Sequence, residues 1–355
     1  MIKKNYNVLG IMSGTSLDGV DLAYIHFTYT NKWQFEVIHA ETVPYTDNWV
    51  NKLKDAVTLN NKMLYELNSE YTALLANVIN DFVKRNALTG LDFIASHGHT
   101  VLHQPENGIT LQIGNMPQIA RLVNKTVVCD FRVQDVEMGG QGAPLVPIGD
   151  RILFSEYECC LNLGGFSNIS FEEDGERIAF DICPVNTVLN YYAGKLGVNF
   201  DQGGNIAKSG RVINELLDEL NNLDFYKMPY PKSLGFEFVK SVVFPVIDKY
   251  DLQVNDILCT FSEHIAVQIA HVINNIGKKS VLITGGGAYN TFITELLQHK
   301  LKFATITIPD DNTIQFKEAI IFGLLGVLKI RDEINVLCSV TGAVKNHSSG
   351  KIYHP

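Results

Sequence analysis

The chain has 355 residues, 46% hydrophobic and 19% charged, with a formal net charge of −9 at pH 7; that length favours about two domains and a substantial buried core. An acidic balance, with a sequence pI near 5.6, argues against a general binder of nucleic acid or anionic membrane and favours a small-molecule substrate. Cys129, Cys159, Cys160, Cys183, Cys259 and Cys338 form no CxxC pair or regular framework, so reduced and mostly buried thiols are expected. No signal-peptide pattern precedes Tyr6, and no apolar run reaches the roughly 18 residues of a membrane span. A cytosolic protein without membrane contact is the expectation.

Alternating apolar residues predict strands near 7–12, 20–28 and 34–42. Between the first two lies GIMSGTSLDGVD (residues 10–21), a β-hairpin with a polar tip. Gly14 and Gly19 let the backbone reach φ > 0 and bring N–H groups close to an anion, while Thr15 and Ser16 add neutral hydroxyl donors. Asp18 and Asp21 would repel a bare phosphate, so they suit the tip with a hydrated Mg²⁺ between them, Asp18 being the metal contact. The phosphate-binding segment is thus Gly14, Thr15, Ser16, Leu17, Asp18, Gly19, Val20 and Asp21, with an ordinary Gly/Ser hairpin as the plain alternative. It is no Walker A loop, having no G-x-x-x-x-G-K-[ST], and no Rossmann fingerprint, since a strand and not a helix follows the turn. A strand–turn–strand phosphate loop points to an α/β protein of the actin-like ATPase and sugar-kinase fold.

Helical patterns at 47–57 and 61–86 precede a strand at 91–96. SHGHTVLHQP (96–105) carries His97, His99 and His103. Their H-x-H-x3-H spacing suggests zinc, but apart from Glu106 no further ligand stands at a recognisable spacing; polar donors lining a sugar cleft, with His97 as a substrate contact, read better. A short strand at 108–113, a helix at 116–123 and a strand at 126–129 follow. Asp130-Phe131-Arg132 then sets a carboxylate and a guanidinium at a strand end, and the Arg132 fork suits a substrate carboxylate. An internal pair of Arg132 with Asp130 or Asp135 is the alternative. Residues 130–150, rich in Gly and Pro, read as an ordered functional loop contributing Gln141.

CCLNLGGFSNISFEEDG (159–175) repeats the strand, turn and returning strand, with Gly164 and Gly165 at its turn. Two such hairpins about 150 residues apart suggest a duplicated two-domain core, 1–130 and 131–355, with ligand in an interdomain cleft; a return of the C-terminal segment to the first half stays open. Asp181 is expected to end the strand at 178–180, ahead of a helix beginning near Thr187. It is the candidate general base, with Asn186 as a phosphate contact beside it. Helices are expected near 204–221, 235–249 and 255–276, then a strand at 280–284, the turn Gly285-Gly286-Gly287 and a helix at 288–298. Those glycines admit a nucleotide base or ribose, although a plain β–α turn fits too. Glu318, in DDNTIQFKEAIIFGLLG, sits among apolar neighbours and needs a partner or a ligand, a salt-bridged surface Glu being the alternative.

GIMSGTSLDGVD resembles, almost letter for letter, the N-terminal signature of the anhydro-N-acetylmuramic acid kinases. The histidine segment at 96–105, DFR to GGQGAPLVP from Asp130 to Pro147, DQGGNIAKSG (201–210), PKSLGFEF (231–238), GGGAYN (285–290) and VTGA (340–343) are similar to family motifs and follow in the family's order. Two positions depart. His99 stands where the family usually has Gln, and DICPVN (181–186) where it has DTGPGN. The resemblance implies a cytoplasmic, homodimeric enzyme using ATP and Mg²⁺ in cell-wall recycling. Its substrate would be a small anhydro amino sugar, 1,6-anhydro-N-acetylmuramic acid, with no nucleic-acid or membrane partner. It further implies that Asp181 deprotonates a water attacking C1 while O6 leaves C1 and takes the phosphoryl group, and that Arg132 holds the lactyl carboxylate. Glu318 would orient the substrate or act as a second carboxylate. An ordinary hexose or amino-sugar kinase, or a sugar- or nucleotide-gated binding protein without turnover, are the alternatives, the latter kept open by DICPVN.

Overall fold

The first three apolar alternations build an antiparallel meander, β1 (Asn5–Ser13), β2 (Gly19–Tyr29) and β3 (Trp33–Pro44). This computed structural model describes residues 3–14 and 16–355. They cluster into two compact units, Met1–Leu153 with Phe316–Pro355, and Phe154–Gln315.

In the first unit β4 (Phe93–Gln104) runs parallel to β1, β5 (Ile109–Ile113) turns back along β4, and β6 (Val127–Cys129) lies parallel to β4 on its other flank. The strand Lys351–Tyr353 closes that edge, antiparallel to β6. The spacing of Leu64, Leu67, Tyr71, Leu75, Ile79 and Phe82 makes one apolar face on the helix Asn61–Arg85, which the cap Asn60 starts by accepting from the Met63 N–H. That face packs on Leu9, Ile11, Ile94 and Val127 of the sheet. The helix Asp311–Ile330 meets β1 so closely that a Cβ on Gly10 would lie 2.0 Å from the Ala319 carbonyl oxygen. Gly10 is therefore what lets Glu318, one residue before, stand beside the start of the first hairpin.

The second unit repeats the pattern with β7 (Cys159–Leu163), β8 (Phe166–Glu173) and β9 (Glu176–Pro184) as the meander. Next, β10 (Ser280–Thr284) lies parallel to β7, and β11 (Thr305–Thr307) parallel to β10. Its order, β11-β10-β7-β8-β9, is that of β6-β4-β1-β2-β3. The α/β core is thus duplicated, as the two hairpins implied. Leu258, Phe261, Ile265, Ile269 and Ile273 on the helix Val254–Ile276 fill this unit's core against Leu161, Leu163 and Ile283.

Some segments depart from the sequence expectation. Residues 204–221 are not one helix but a short Asn205–Lys208, which Asp201 caps, and a separate Asn214–Asn221, because between them the Arg211 and Ile213 N–H groups go to Asp256 Oδ1 and Thr260 Oγ1 at 2.9 and 3.0 Å and not to a helical carbonyl. The block 130–150 contains the helix Val133–Glu137 and the start of Val146–Leu153. It groups with the first unit, so the units divide at 153/154 and not at the 130/131 suggested by motif spacing. Buried Phe131 and Asp135, and a buried Asp150–Lys317 ion pair at 2.7 Å, tie this block into that unit. Among the described residues no helix is long and apolar enough to cross a membrane.

Candidate functional site

In the first unit the hairpin tip follows β1 and Arg132 follows β6, where open α/β sheets place ligands. His97 lies inside β4 just past the last residue paired with β6, the strand running on to Gln104 and not ending at 96. Thr15 falls outside the described residues. At the tip Ser16 Oγ donates to Asp18 Oδ1 at 2.6 Å, Leu17 takes a left-handed φ of 60°, and the Asp18 carbonyl accepts from the Tyr45 N–H. Asp18 is exposed, Gly14 partly so, whereas Gly19 and Val20 already belong to the buried strand. Asp21 accepts from Thr42 Oγ1 at 2.6 Å across β2 and β3. Burial pushes its carboxyl up to about 6 against that hydrogen bond, and the charges of Asp18 and Glu318 add to the rise. Glu318 is open to solvent, yet the surrounding protein raises its pKa, opposed by Arg132 and then Lys317. The charges of Asp18 and Glu318 thus both bear on Asp21. An exposed carboxylate such as Asp18 fits a hydrated Mg²⁺, which is commonly held by one or two carboxylates together with substrate phosphates.

Behind the tip runs a chain of buried hydroxyls that the sequence does not announce. Ser13 Oγ bonds Tyr45 OH at 2.6 Å and His99 Nδ1 at 2.9 Å, and Tyr45 OH bonds Tyr71 OH. Burial holds the His99 imidazole down to about 4, so it is neutral near pH 7. These partners come from β1, β4, the helix Asn61–Arg85 and the loop after β3, and no local spacing links them.

His97 is fixed by two partners. Its Nδ1–H donates to the Gly98 carbonyl at 2.9 Å, and its Nε2 accepts from Arg132 Nε at 2.7 Å. Burial, then the Arg132 charge, holds it well below the ordinary histidine range. Arg132 Nη1 donates to the Gly142 carbonyl at 2.7 Å. Neither acidic neighbour is its hydrogen-bond partner: Asp130 pairs with Lys351 at 2.6 Å, and Asp135 accepts from the Gly142 N–H and from Thr341. Burial lowers Arg132 to about 10, with Glu318 and Asp135 opposing. Gln141 is exposed, its N–H donated to the Thr341 carbonyl at 2.8 Å. His103 Nδ1 pairs separately with Thr110 Oγ1 at 3.2 Å. Among the described residues no three His, Cys, Asp or Glu side chains are grouped to hold a metal ion.

In the second unit Asp181 lies inside β9, which continues to Pro184, so it does not end its strand. The register slips beside it: Asn168 faces Asp181 and Ser167 faces Cys183, leaving Ile182 unopposed. This is a β-bulge, a device that re-aims side chains next to functional sites. Ser167 Oγ secures it, donating to the Cys183 carbonyl at 3.0 Å and accepting from the Cys183 N–H at 3.1 Å. The Asp181 N–H donates to the Lys232 carbonyl at 3.0 Å, and its Oδ2 accepts from the Leu234 N–H at 2.8 Å. Burial raises the Asp181 pKa and the Leu234 bond opposes. Cys183 and Val185, which replace family glycines, are fully buried in this unit's core.

The glycine turns gather around Leu163. Val185 and Asn186 N–H groups donate to the Gly165 and Gly164 carbonyls at 2.8 and 3.2 Å, while Asn186 Nδ2 donates to the Leu163 carbonyl at 3.3 Å. Gly285 has φ +81°, and a Cβ there would lie 2.5 Å from Asn162 Oδ1 and 2.9 Å from the Leu163 carbonyl carbon. Only glycine fits. Gly286 is exposed above this floor and Gly287 buried in it; the helix Thr291–Lys300 follows, capped by Asn290 Oδ1 on the Ile293 N–H at 3.1 Å.

The sequence model of the anhydro-N-acetylmuramic acid kinase family matches residues 6–355. The anhydro-N-acetylmuramic acid kinases of Bacillus cereus (strain 03BB102) and Bacillus thuringiensis (strain Al Hakam) are each 34% identical over 98% of this chain, covering 99% and 98% of their own lengths. Among solved structures, the (R)-2-hydroxyglutaryl-CoA dehydratase component A of Acidaminococcus fermentans matches with a TM-score of 0.48 at 14% identity, over 90% of this chain and 96% of that one. With family sequence matched along nearly its whole length, the chain belongs to the anhydro-N-acetylmuramic acid kinase family.

Proposed function

We propose that the chain is an ATP-dependent kinase that opens 1,6-anhydro-N-acetylmuramic acid with water and phosphorylates O6, giving N-acetylmuramate 6-phosphate and ADP in cell-wall recycling. The observation that carries this is the family match over residues 6–355, with relatives of that name 34% identical from end to end.

Asp181 accepts a proton from the water that attacks C1. Its raised pKa supports this role, because a carboxylate of higher pKa is the stronger base. As the new C1–O bond forms, the C1–O6 bond breaks, and O6 takes the γ-phosphoryl group while ADP leaves. Arg132 meets the lactyl carboxylate with Nη2, for which no hydrogen-bond partner occurs among the described residues, and His97 and Gly142 hold its other nitrogens. Gln141 adds a polar contact to the sugar. Gly14 to Asp21 receive the nucleotide phosphates, joined by Gly164, Gly165 and Asn186, and Gly285-Gly286-Gly287 seat the base or ribose. Asp18 would hold Mg²⁺, which supplies charge neutralisation to the transferring phosphoryl group. Glu318 orients the reacting sugar. A cytoplasmic homodimer completes the reading.

The test is ADP release by purified protein with Mg·ATP and the anhydro sugar, with N-acetylglucosamine and no sugar as controls. Release that requires the anhydro sugar, with ¹⁸O from labelled water at the anomeric hydroxyl before exchange, is expected. Turnover without label would instead indicate a plain sugar kinase, and sugar binding without turnover a binding protein.

A further inference from the structure

We propose that Asp135 and Thr341 are positioning residues that set Arg132 for a carboxylate-bearing sugar. The inference rests on the reading of Arg132 given above. Asp135 is fully buried. Its carboxylate accepts from two neutral donors, the Gly142 N–H on Oδ2 at 2.6 Å and the Thr341 hydroxyl on Oδ1 at 2.7 Å, with His347 Nε2 further off at 3.6 Å. A buried carboxylate is costly unless its hydrogen bonds are well made, so this arrangement calls for a task.

The task is visible in what Asp135 holds. Gly142 is gripped on both sides, its N–H by Asp135 and its carbonyl by Arg132 Nη1 at 2.7 Å. Thr341 closes the other end of the same loop, its carbonyl accepting from the Gln141 N–H at 2.8 Å while its hydroxyl reaches Asp135. The Asp135 carbonyl takes the Gly140 N–H at 2.8 Å. Residues 140–142 are thereby pinned at each peptide, and the Gly142 carbonyl is set where the guanidinium needs it. His97 Nε2 fixes the guanidinium at Nε, leaving Nη2 to the ligand. The VTGA segment at 340–343 and the DFR segment at 130–132 are thus two parts of one device, joined through Asp135, and the charge of Asp135 acts on Arg132 without touching it.

A brace of purely structural use would weaken all ligands alike, whereas a positioning role is selective for the carboxylate. The experiment compares 1,6-anhydro-N-acetylmuramic acid with 1,6-anhydro-N-acetylglucosamine, which lacks the lactyl group, by calorimetric Kd and by KM and kcat. Thr341→Val is expected to weaken the carboxylated sugar by about tenfold or more, the scale of one misplaced charged hydrogen bond, and to change the other sugar by less than about twofold. Thr341→Ser restores binding, Asp135→Asn behaves as Thr341→Val does, and in an Arg132→Ala background Thr341→Val has no further effect. Parallel weakening of both sugars, or no change in folded Thr341→Val, overturns the proposal even if Asp135→Asn fails to fold. A wild-type protein that does not prefer the carboxylated sugar overturns the Arg132 reading itself, and this proposal with it.

Discussion

Asp21 and Asp181 are both raised by burial, but they sit among different neighbours and answer to different experiments. Asp21 has a folded pKa near 6 against an ordinary 3.8, so between these values the folded state binds more protons than the unfolded one. Stability is therefore lost as pH rises from about 4 to 6, and the loss persists above. Asp21→Asn, which keeps an acceptor for Thr42, should raise the melting temperature at pH 7.5, with the gain fading by pH 4 in a thermal-shift series. Mg²⁺ should narrow the gap by stabilising the wild type more. Asp181→Asn should lower kcat by about 10² to 10⁴-fold, the usual range for a lost general base, while calorimetry still detects sugar. A variant with near-native ADP release would remove Asp181 from the chemistry. Asp181, Arg132 and Glu318 could be singled out as candidates because each stands in a recognisable motif. Ser13 and His99 also stand in such motifs, but their link through Tyr45 to Tyr71 could not be read, since only the folded chain brings these hydroxyls and the imidazole together.

At the scale of elements, the bulge between β8 and β9 decides how Asp181 is presented. Ser167→Ala removes the hydroxyl that holds both backbone groups of Cys183, so Asp181 should lose part of its bond from the Leu234 N–H. Because that bond lowers the Asp181 pKa, the acid limb of the kcat/KM profile should move to higher pH. A profile that scales down without moving would assign Ser167 to packing alone. Gly10→Ala forces a Cβ against the Ala319 carbonyl and should cost about 1–3 kcal/mol in urea unfolding, as overpacked cores do. The meanders were readable from period-two alternation, and the long helix Val254–Ile276 from its apolar face. The break within 204–221 was not, because its helical periodicity continues while Asp256 and Thr260, far along the chain, divert the Arg211 and Ile213 N–H groups. The bulge was equally hidden, for register depends on a partner strand and not on the strand itself.

On the scale of the whole chain, duplication was legible because both hairpins carry similar turn chemistry, and the sheets repeat one strand order. The unit boundary was not, since it is set by contacts far apart in sequence, such as Asp135 with Thr341 and Asp150 with Lys317. The second unit is one continuous stretch, Phe154–Gln315, with its own core. Expressed alone, it should unfold cooperatively in circular dichroism, whereas residues 1–153 alone should not, lacking the helix that covers Gly10 and the strand that closes β6. Cooperative melting of 1–153 would show that residues 316–355 are dispensable to the first unit.

The first unit is split by about 160 residues of the second, and this gives the molecule a schedule during synthesis. At about 5–20 residues per second a ribosome spends roughly 8–30 s on that insertion. Throughout this interval the Gly14–Asp21 hairpin exists without Glu318, and Asp135 without Thr341. The nascent chain thus carries the Gly14–Asp21 hairpin without its later neighbours until residues 316–355 emerge, so the first unit stays incomplete while translation is still under way.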